Sequence, residues 1–241
     1  MLMIDCWKRW WNEGRRWVLN QDLLVLLLSL GVAFGLWAFI ELADEVREGD
    51  TLGLDERLMR ALRNPENLAD PVGPPWIEGL MRDLTALGGV AVLTLVTLGV
   101  AGFVAIRRQF HALWLLFAAI GGGLLLNLLL KDLINRSRPA VVPHLMHETS
   151  ASFPSGHSML SAVVYVTLGA LLARLVEPLK LKVYVLVMGL MFSFLVGLSR
   201  VYLGVHYPTD VLAGWTMGSL WAVICWLAAR FLQRRGTVEG P

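Results

Sequence analysis

Long apolar runs alternate with short polar segments along almost the whole chain. One of them, DLLVLLLSLGVAFGLWAFIEL, is about 20 residues long, which is enough for a helix to cross roughly 30 Å of hydrocarbon. Because hydrocarbon offers no hydrogen-bond partners to the backbone, such runs are expected to be α-helices. The pattern predicts six spans, at about residues 22–42, 84–106, 112–131, 158–176, 183–199 and 211–230.

Two shorter segments have an amphipathic pattern and are predicted to lie along the membrane. In the tail, residues 1–21, four Trp residues form one helical face and Lys and Arg the other, as in an interfacial helix. In LDERLMRALRN, four apolar residues recur with helical spacing: Leu54, Leu58, Met59 and Leu62. For both segments packing is favoured over a lid. We predict a single all-α integral membrane domain over residues 1–241, a six-transmembrane-helix bundle with short interfacial helices.

Composition supports the membrane assignment and argues against a soluble domain, a nucleic-acid-binding protein and a cysteine-based site. The chain has 241 residues, of which 56% are hydrophobic and 17% charged, and its mean hydropathy of +0.60 is too high for a soluble domain. A net charge of +2 without a basic tract argues against a nucleic-acid partner. Cys6 and Cys225 are far apart in the predicted layout, so no disulfide and no cysteine metal cluster are expected.

The distribution of charge predicts how the bundle is oriented. Twelve of the 21 Lys and Arg residues fall in segments that six spans place on one side, whereas ten of the 19 acidic residues lie between Asp44 and Asp83. Cationic loops stay in the cytoplasm. Both termini, including 1–21 and 231–241, are therefore predicted to be cytoplasmic, with 43–83, 132–157 and 200–210 on the opposite side. The first span is expected to be retained rather than cleaved as a leader.

Three polar segments fall on the predicted extracytoplasmic side, and the first is KDLINRSRP, residues 131–139. Lys131 and Arg138 are two helical turns apart and share a face if the helix continues to Pro139. Long cations at a helix end also reach the interface by snorkelling, and the two interpretations are evenly balanced. Arg136 is interpreted as a solvated loop residue in preference to a headgroup contact.

The second segment is FPSGH, residues 153–157. Pro154 interrupts the preceding chain and Ser155 can cap a helix that begins at about Gly156. The first turn of a helix has unpaired N–H groups and the positive end of the dipole, so Ser155, Gly156 and His157 can bind an anion. Taken alone, an ordinary helix start with an incidental His is the simpler interpretation.

The third segment is SRVYLGVHYPTD, residues 199–210. Arg200 ends one span, and His206 and Asp210 flank the start of the next. The carboxylate can hold one imidazole nitrogen protonated, which leaves the other free as a nucleophile. A structural His–Asp contact is the competing interpretation.

Taken together, the three segments favour a phosphate site. They bring three cations, two imidazoles, a carboxylate and a helix N-terminus to one side of the membrane, where ionisable groups are costly and usually functional. Arg binds phosphate oxygens in a bidentate manner and Lys acts as a point charge.

These segments resemble the three signature motifs of the type 2 phosphatidic acid phosphatase superfamily. The matching residues are Lys131 with Arg138 and Pro139, the run from Pro154 to His157, and Ser199, Arg200, His206 and Asp210. The six-helix layout is similar to that of the membrane branch of the superfamily. Its members act on phosphatidylglycerol phosphate, phosphatidate or undecaprenyl pyrophosphate.

The resemblance implies a role for each matched residue. His206 would attack phosphorus and become a phosphohistidine, Asp210 would orient it, and His157 would protonate the leaving oxygen and then activate water. The phosphate oxygens would be bound by Lys131, Arg138, Ser155, Gly156 and Arg200. We expect no metal and no cofactor, because no carboxylate cluster has metal-ligand spacing and His144 with His147 is only a loop pair.

The sequence thus predicts an enzyme that hydrolyses a phosphate monoester or pyrophosphate on a membrane lipid without a metal, on the outer face of a bacterial cytoplasmic membrane. Its partners would be the lipid substrate and the bilayer, and the oligomeric state stays open. Two alternatives are a phosphatase for a water-soluble ester and a catalytically silent lipid-binding or transport protein.

Overall fold

The computed structural model describes residues 2–146 and 148–234, with side chains described from residue 23 to 233 apart from residue 147. It consists of eight helices and one small antiparallel hairpin within this part of the chain. In order these are α1 Leu2–Glu48, α2 Leu52–Ala61, β1 Arg63–Asn64, β2 Asn67–Pro71, α3 Pro75–Ala86, α4 Val90–Ile106, α5 Phe110–Ile134, α6 Gly156–Leu175, α7 Leu179–Tyr202 and α8 Pro208–Arg234.

The predicted all-α membrane bundle is confirmed. Five helices of the described chain are long and apolar enough to span a membrane, and a sixth span results if α3 and α4 count as one helix bent by 48°. The second span differs in detail from the predicted range of 84–106, because α4 begins at Val90. Gly88 and Gly89 interrupt the chain between α3 and α4, where glycine is a poor helix former.

The segment predicted as an extracytoplasmic loop, 43–83, contains considerable regular structure. Helix α1 continues to Glu48, the amphipathic pattern at 54–62 forms most of α2, and the hairpin and α3 follow. Asp55 and Met59 are the buried residues of α2, so this helix packs against the bundle with one face. This agrees with the packing interpretation.

The two tails are described less fully. The backbone of residues 2–21 belongs to the same continuous helix as the first span, but the side chains of the four Trp residues lie outside the described part. Residues 231–234 end α8, and 235–241 lie outside the described residues. The interfacial position of the N-terminal tail and the cytoplasmic side of both tails stay predictions.

Helix α6 is the centre of the bundle and packs against α5, α7 and α8. The contact with α8 is unusually close because Gly214 and Gly218 face the first turns of α6. A Cβ atom at Gly214 would lie 2.8 Å from the carbonyl oxygen of Ser155, and one at Gly218 would overlap the carbonyl oxygen of Met159. Small residues allow this approach, and it fixes the start of α8 beside the start of α6.

Candidate active site

The three polar segments meet at one end of the bundle, where α5 and α7 end and α6 and α8 begin. Arg138 reaches His206, with 3.3 Å between Nη1 and Nε2. The backbone N–H of Ser155 donates to the carbonyl oxygen of Asp210 at 3.0 Å. A side chain at Gly156 would meet Cε of Lys131 at 3.7 Å. The structure therefore brings the predicted phosphate-binding and catalytic residues together.

His206 lies in the short connection between α7 and α8 and is 1% exposed. Its Nδ1 atom lies 3.6 Å from Oδ2 of Asp210, and its Nε2 atom faces the guanidinium of Arg138. Burial lowers the pKa of His206 to about 4, an effect that Asp210 opposes and Arg200 and Arg138 reinforce. The ring is therefore neutral at pH 7, with Nε2 on the side of the cations, as a nucleophile requires.

Asp210 is fully buried in the first turn of α8 and is held by several donors. The backbone N–H of Tyr207 donates to Oδ2 at 2.9 Å, and the hydroxyl of Ser152 donates to the same oxygen. The Oγ atom of Ser152 is also 3.4 Å from Nδ1 of His206. The sequence pattern does not reveal Ser152, because its contact with the His206–Asp210 pair spans 54 residues.

Helix α6 begins as the sequence predicts. The side chain of Ser155 caps it by accepting a hydrogen bond from the N–H of Ser158 at 3.4 Å, and Gly156 is its first residue. The half-buried His157 follows in the first turn. A side chain at position 156 would lie 3.3 Å from Oδ1 of Asn127, so glycine keeps this turn open for an anion beside its N–H groups.

Lys131 and Arg138 reach the site by a different route from the one predicted. Helix α5 does not continue to Pro139 but ends at Ile134, where Asn135 adopts a left-handed conformation with φ of 45°. Arg138 therefore extends from a loop, in which its guanidinium donates to the carbonyl oxygens of Ser150 and Val205 at 2.8 and 2.7 Å. This cation is therefore positioned by backbone carbonyl groups of two other segments. The predicted helical face shared with Lys131 does not form.

Residues 148–152, which we call the acceptor loop, lie next to the cations and supply hydrogen-bond acceptors to them. Lys131 donates to the hydroxyl of Ser150 at 3.1 Å and to the carbonyl oxygen of Ala151. Glu148 accepts from Arg200 and lies 3.6 Å from Arg138. Burial alone would raise the pKa of Glu148, but the charge and hydrogen bond of Arg200 outweigh it and keep the pKa below its ordinary value. Glu148 is thus an anionic partner of both arginines within the chain.

Arg200 is fully buried near the end of α7. In addition to Glu148, it donates to Oγ1 of Thr85 at 3.0 Å, at the end of α3. Its position next to the bend between α3 and α4 was not predictable from spacing in the sequence, since Thr85 is 115 residues away.

Arg136 has a role that the sequence interpretation missed. It is not a solvated loop residue: its side chain is 10% exposed and bridges two carboxylates. It donates to Asp210 at 2.6 Å and to Asp55 of α2 at 2.8 Å. The ring of Tyr207 lies 4.1 Å below its guanidinium carbon. Asp55 also accepts from the N–H and hydroxyl of Thr209, so α2 is tied to the first turn of α8.

One sequence signal could have identified Asp55. It precedes Met59 by four residues and Leu62 by seven, so it lies on the apolar face of an amphipathic helix. An acid on a buried face needs a partner, and Arg136 provides it.

Two histidines of the same region were predicted not to form a metal site. Nε2 of His144 lies 2.6 Å from the carbonyl oxygen of Pro139, and His147 lies outside the described residues. Among the residues that are described, no three His, Cys, Asp or Glu side chains are grouped as ligands of a metal ion.

Comparison with known proteins identifies similar membrane phosphatases by sequence and by structure. A family model described as the PAP2 superfamily matches residues 112–234. Phosphatidylglycerophosphatase B of Bacillus subtilis (strain 168) is 38% identical over 184 residues, which cover 76% of this chain and 86% of that protein. Undecaprenyl-diphosphatase of Sulfolobus acidocaldarius is 41% identical over 71 residues, about 30% of each chain. A crystal structure of a transmembrane PAP2-type phosphatidylglycerolphosphate phosphatase from Bacillus subtilis superimposes with a TM-score of 0.75 and 33% identity, covering 84% of this chain and 98% of that one.

Proposed function

Because the chain belongs to the PAP2 superfamily as a membrane lipid phosphatase, we propose that it releases phosphate from a lipid through a phosphohistidine formed on His206. One observation carries this proposal. The neutral imidazole of His206 has Asp210 on its Nδ1 side and the Arg138 guanidinium at 3.3 Å on its Nε2 side. A phosphate bound by the cations would therefore meet the nitrogen that carries the free electron pair.

In the first step Nε2 of His206 attacks phosphorus in line with the leaving oxygen. The N–P bond forms as the P–O bond to the lipid breaks, and His157 donates a proton to the departing oxygen. Asp210, which lies 3.6 Å from Nδ1, stabilises the positive charge that develops on the ring. The products of this step are the dephosphorylated lipid and phosphohistidine.

In the second step His157 accepts a proton from water, which attacks phosphorus and breaks the N–P bond. Inorganic phosphate leaves and both imidazoles return to their initial states. During both steps the charge on the non-bridging oxygens is stabilised by Lys131, Arg138, Arg200 and the N–H groups at the start of α6. Phosphoryl transfer depends mainly on such positioning and charge stabilisation, so these cations can take the place of a divalent metal.

The substrate class is a phosphomonoester or pyrophosphate on a membrane lipid, entering sideways from the bilayer with its tail between helices. The names of the relatives support this class, since one acts on a phosphatidylglycerol phosphate and another on an undecaprenyl diphosphate. The excess of acidic residues at 44–83 and the cationic segments at the other end support a site on the extracytoplasmic side.

The proposal is tested by phosphate release from the full chain in detergent with excess EDTA. The panel contains phosphatidylglycerol phosphate, phosphatidate, undecaprenyl pyrophosphate and a soluble sugar phosphate. We expect lipid phosphates to be hydrolysed at the same rate with and without EDTA, and the soluble ester much more slowly. Loss of activity in EDTA would contradict the metal-independent mechanism, and faster hydrolysis of the sugar phosphate would contradict the lipid substrate.

Glu148 provides a second test of the same site. Its carboxylate binds Arg200 and lies beside Arg138, so it occupies cations that an incoming phosphate needs. Glu148→Gln removes the competing charge, and we expect the inhibition constant of orthovanadate, a phosphate analogue, to fall about tenfold, the equivalent of one charge-assisted hydrogen bond.

Glu78→Gln is the matched control, because Glu78 pairs with Arg82 on the exposed face of α3. We expect that substitution to leave vanadate inhibition unchanged. Weaker inhibition in Glu148→Gln would mean that Glu148 holds the cations in place rather than competing with the phosphate.

A further inference from the structure

A second candidate binding site lies at the opposite end of the bundle. A cavity of about 580 Å³ opens between α1, α6, α7 and α8. From His157 at the active site to Arg174 beside this cavity, α6 extends about 25 Å, close to the thickness of the hydrocarbon. The described lining is mainly apolar and includes Leu24, Leu28, Val166, Ala170, Leu186 and Val223. The proposed phosphatase mechanism uses none of these residues.

Three cations from three different helices border this cavity. They are Arg174 of α6, Lys182 of α7 and Arg230 of α8, and no acidic side chain is among the described residues of the lining. The guanidinium of Arg230 also stacks over Trp226, another lining residue, at 5.3 Å. Cations at helix ends often snorkel to the interface as separate residues, but here they converge on one apolar cavity. Arg174 and Lys182 place two positive charges at the edge of this apolar cavity, which favours an anionic ligand there.

A neighbouring cavity extends the positive region. It measures about 530 Å³, shares Leu171 and Arg174 with the first, and is bordered by Arg107, Arg108 and His111 at the turn between α4 and α5. An apolar cleft that leads into a cationic pocket matches a phospholipid, whose acyl chain is apolar and whose headgroup phosphate is negative. Basic pockets between transmembrane helices bind anionic headgroups for this reason.

We propose that this groove binds one anionic phospholipid of the leaflet opposite the active site. Its phosphate lies between Arg174 and Lys182, and an acyl chain lies along the apolar wall. Because α1 contributes Leu24 and Leu28 to the same wall, the bound lipid joins α1 to the core of the bundle. This site needs no terminal phosphate on the lipid and does not depend on the proposed enzymatic activity.

Cys225 lines the groove and provides a natural reporter. In the full chain with Cys6→Ser, the rate at which N-ethylmaleimide alkylates Cys225 is measured in detergent alone, with phosphatidylglycerol, and with phosphatidylcholine of the same chains. We expect phosphatidylglycerol to slow alkylation at least about threefold at saturation and phosphatidylcholine to have little effect. Lipid bound in the active site cannot produce this protection, because Cys225 lies at the other end of the bundle.

Lys180 and Lys182 offer a closely matched pair of variants. Both belong to the first turns of α7 and lose the same charge on substitution by Gln, but only Lys182 lines the groove. Lys182→Gln and Arg174→Gln should abolish the protection by phosphatidylglycerol, and Lys180→Gln should retain it, with thermal unfolding as the check on folding. The proposal is overturned if the two lipids protect equally, if neither protects, if Cys225 is unreactive in detergent alone, or if the two Lys variants behave alike.

Discussion

His206→Ala is expected to lower kcat for lipid phosphate hydrolysis by at least about 10³-fold, because it removes the atom that forms the covalent intermediate in the proposed mechanism. The substrate should still bind, since Lys131, Arg138 and Arg200 remain. The expected signature is therefore a large loss in kcat with a modest change in KM, measured by phosphate release at saturating lipid.

The same substitution should leave the fold intact. His206 is neutral at pH 7 because burial lowers its pKa to about 4, so removing the ring leaves no unpaired charge. Arg138 keeps its bonds to Ser150 and Val205. His111→Ala, at the other end of the bundle, is the control for histidine loss and should retain full activity. Activity of His206→Ala within about tenfold of the natural chain would refute the assignment of the nucleophile.

Asp210→Asn is expected to lower kcat by about 10² to 10⁴-fold, the range that orienting and proton-transfer groups contribute. The amide preserves the size of the side chain but removes the charge that stabilises the imidazolium. Since Asp210 does not contact the phosphate in the proposed mechanism, KM should change little. Pre-steady-state kinetics should show slow formation of the phosphoenzyme, which a purely structural defect would not produce selectively.

Arg136→Lys tests whether the ion pair between Arg136 and Asp210 positions the carboxylate for catalysis. The guanidinium binds Asp55 and Asp210 at the same time, and a single ammonium group cannot reproduce this fork. We expect a loss of about tenfold in kcat, smaller than that of Asp210→Asn, with KM unchanged. Equal activity of Arg136→Lys and the natural chain would mean that the bridge between α2 and Asp210 does not position the carboxylate for catalysis.

Much of the membrane architecture could be predicted because the length of an apolar run can be read directly from consecutive residues. The apolar runs at 112–131, 158–176 and 183–199 became α5, α6 and α7 with ends shifted by a few residues. The different start of the span predicted at 84–106 has a physical cause, since the apolar pattern continues through Gly88 and Gly89 although the helix does not. Hydropathy detects burial in lipid but not a bend in the backbone.

The site was predictable where its residues are close in sequence and unpredictable where they are not. His206 and Asp210 are four apart, and Ser155 caps the helix that begins next to it. By contrast, Asp55 meets Arg136 across 81 residues and Thr209 across 154. Such contacts arise from the packing of α2 against α8, which the spacing of residues in the sequence does not reveal. Without knowledge of this bridge, Arg136 resembles an ordinary loop cation.

Glu148 illustrates a different limit. A single acid in a polar loop has no distinctive pattern in the sequence, and its importance depends on Arg200, which is 52 residues away. Residues 148–151 of this loop accept hydrogen bonds from the cations or lie close to them. In the proposed mechanism these acceptors compete with the phosphate for the same cations, which is what Glu148→Gln tests.

Trapping the covalent intermediate tests the central claim most directly. The full chain is mixed with a lipid substrate labelled in its terminal phosphate, denatured in alkali within one turnover to preserve phosphohistidine, and digested for mass spectrometry. We expect the phosphoryl group on the peptide that contains His206, attached to the imidazole, and none in His206→Ala. Release of phosphate at the full single-turnover rate with no label on His206, or with the label on His157, would contradict the account.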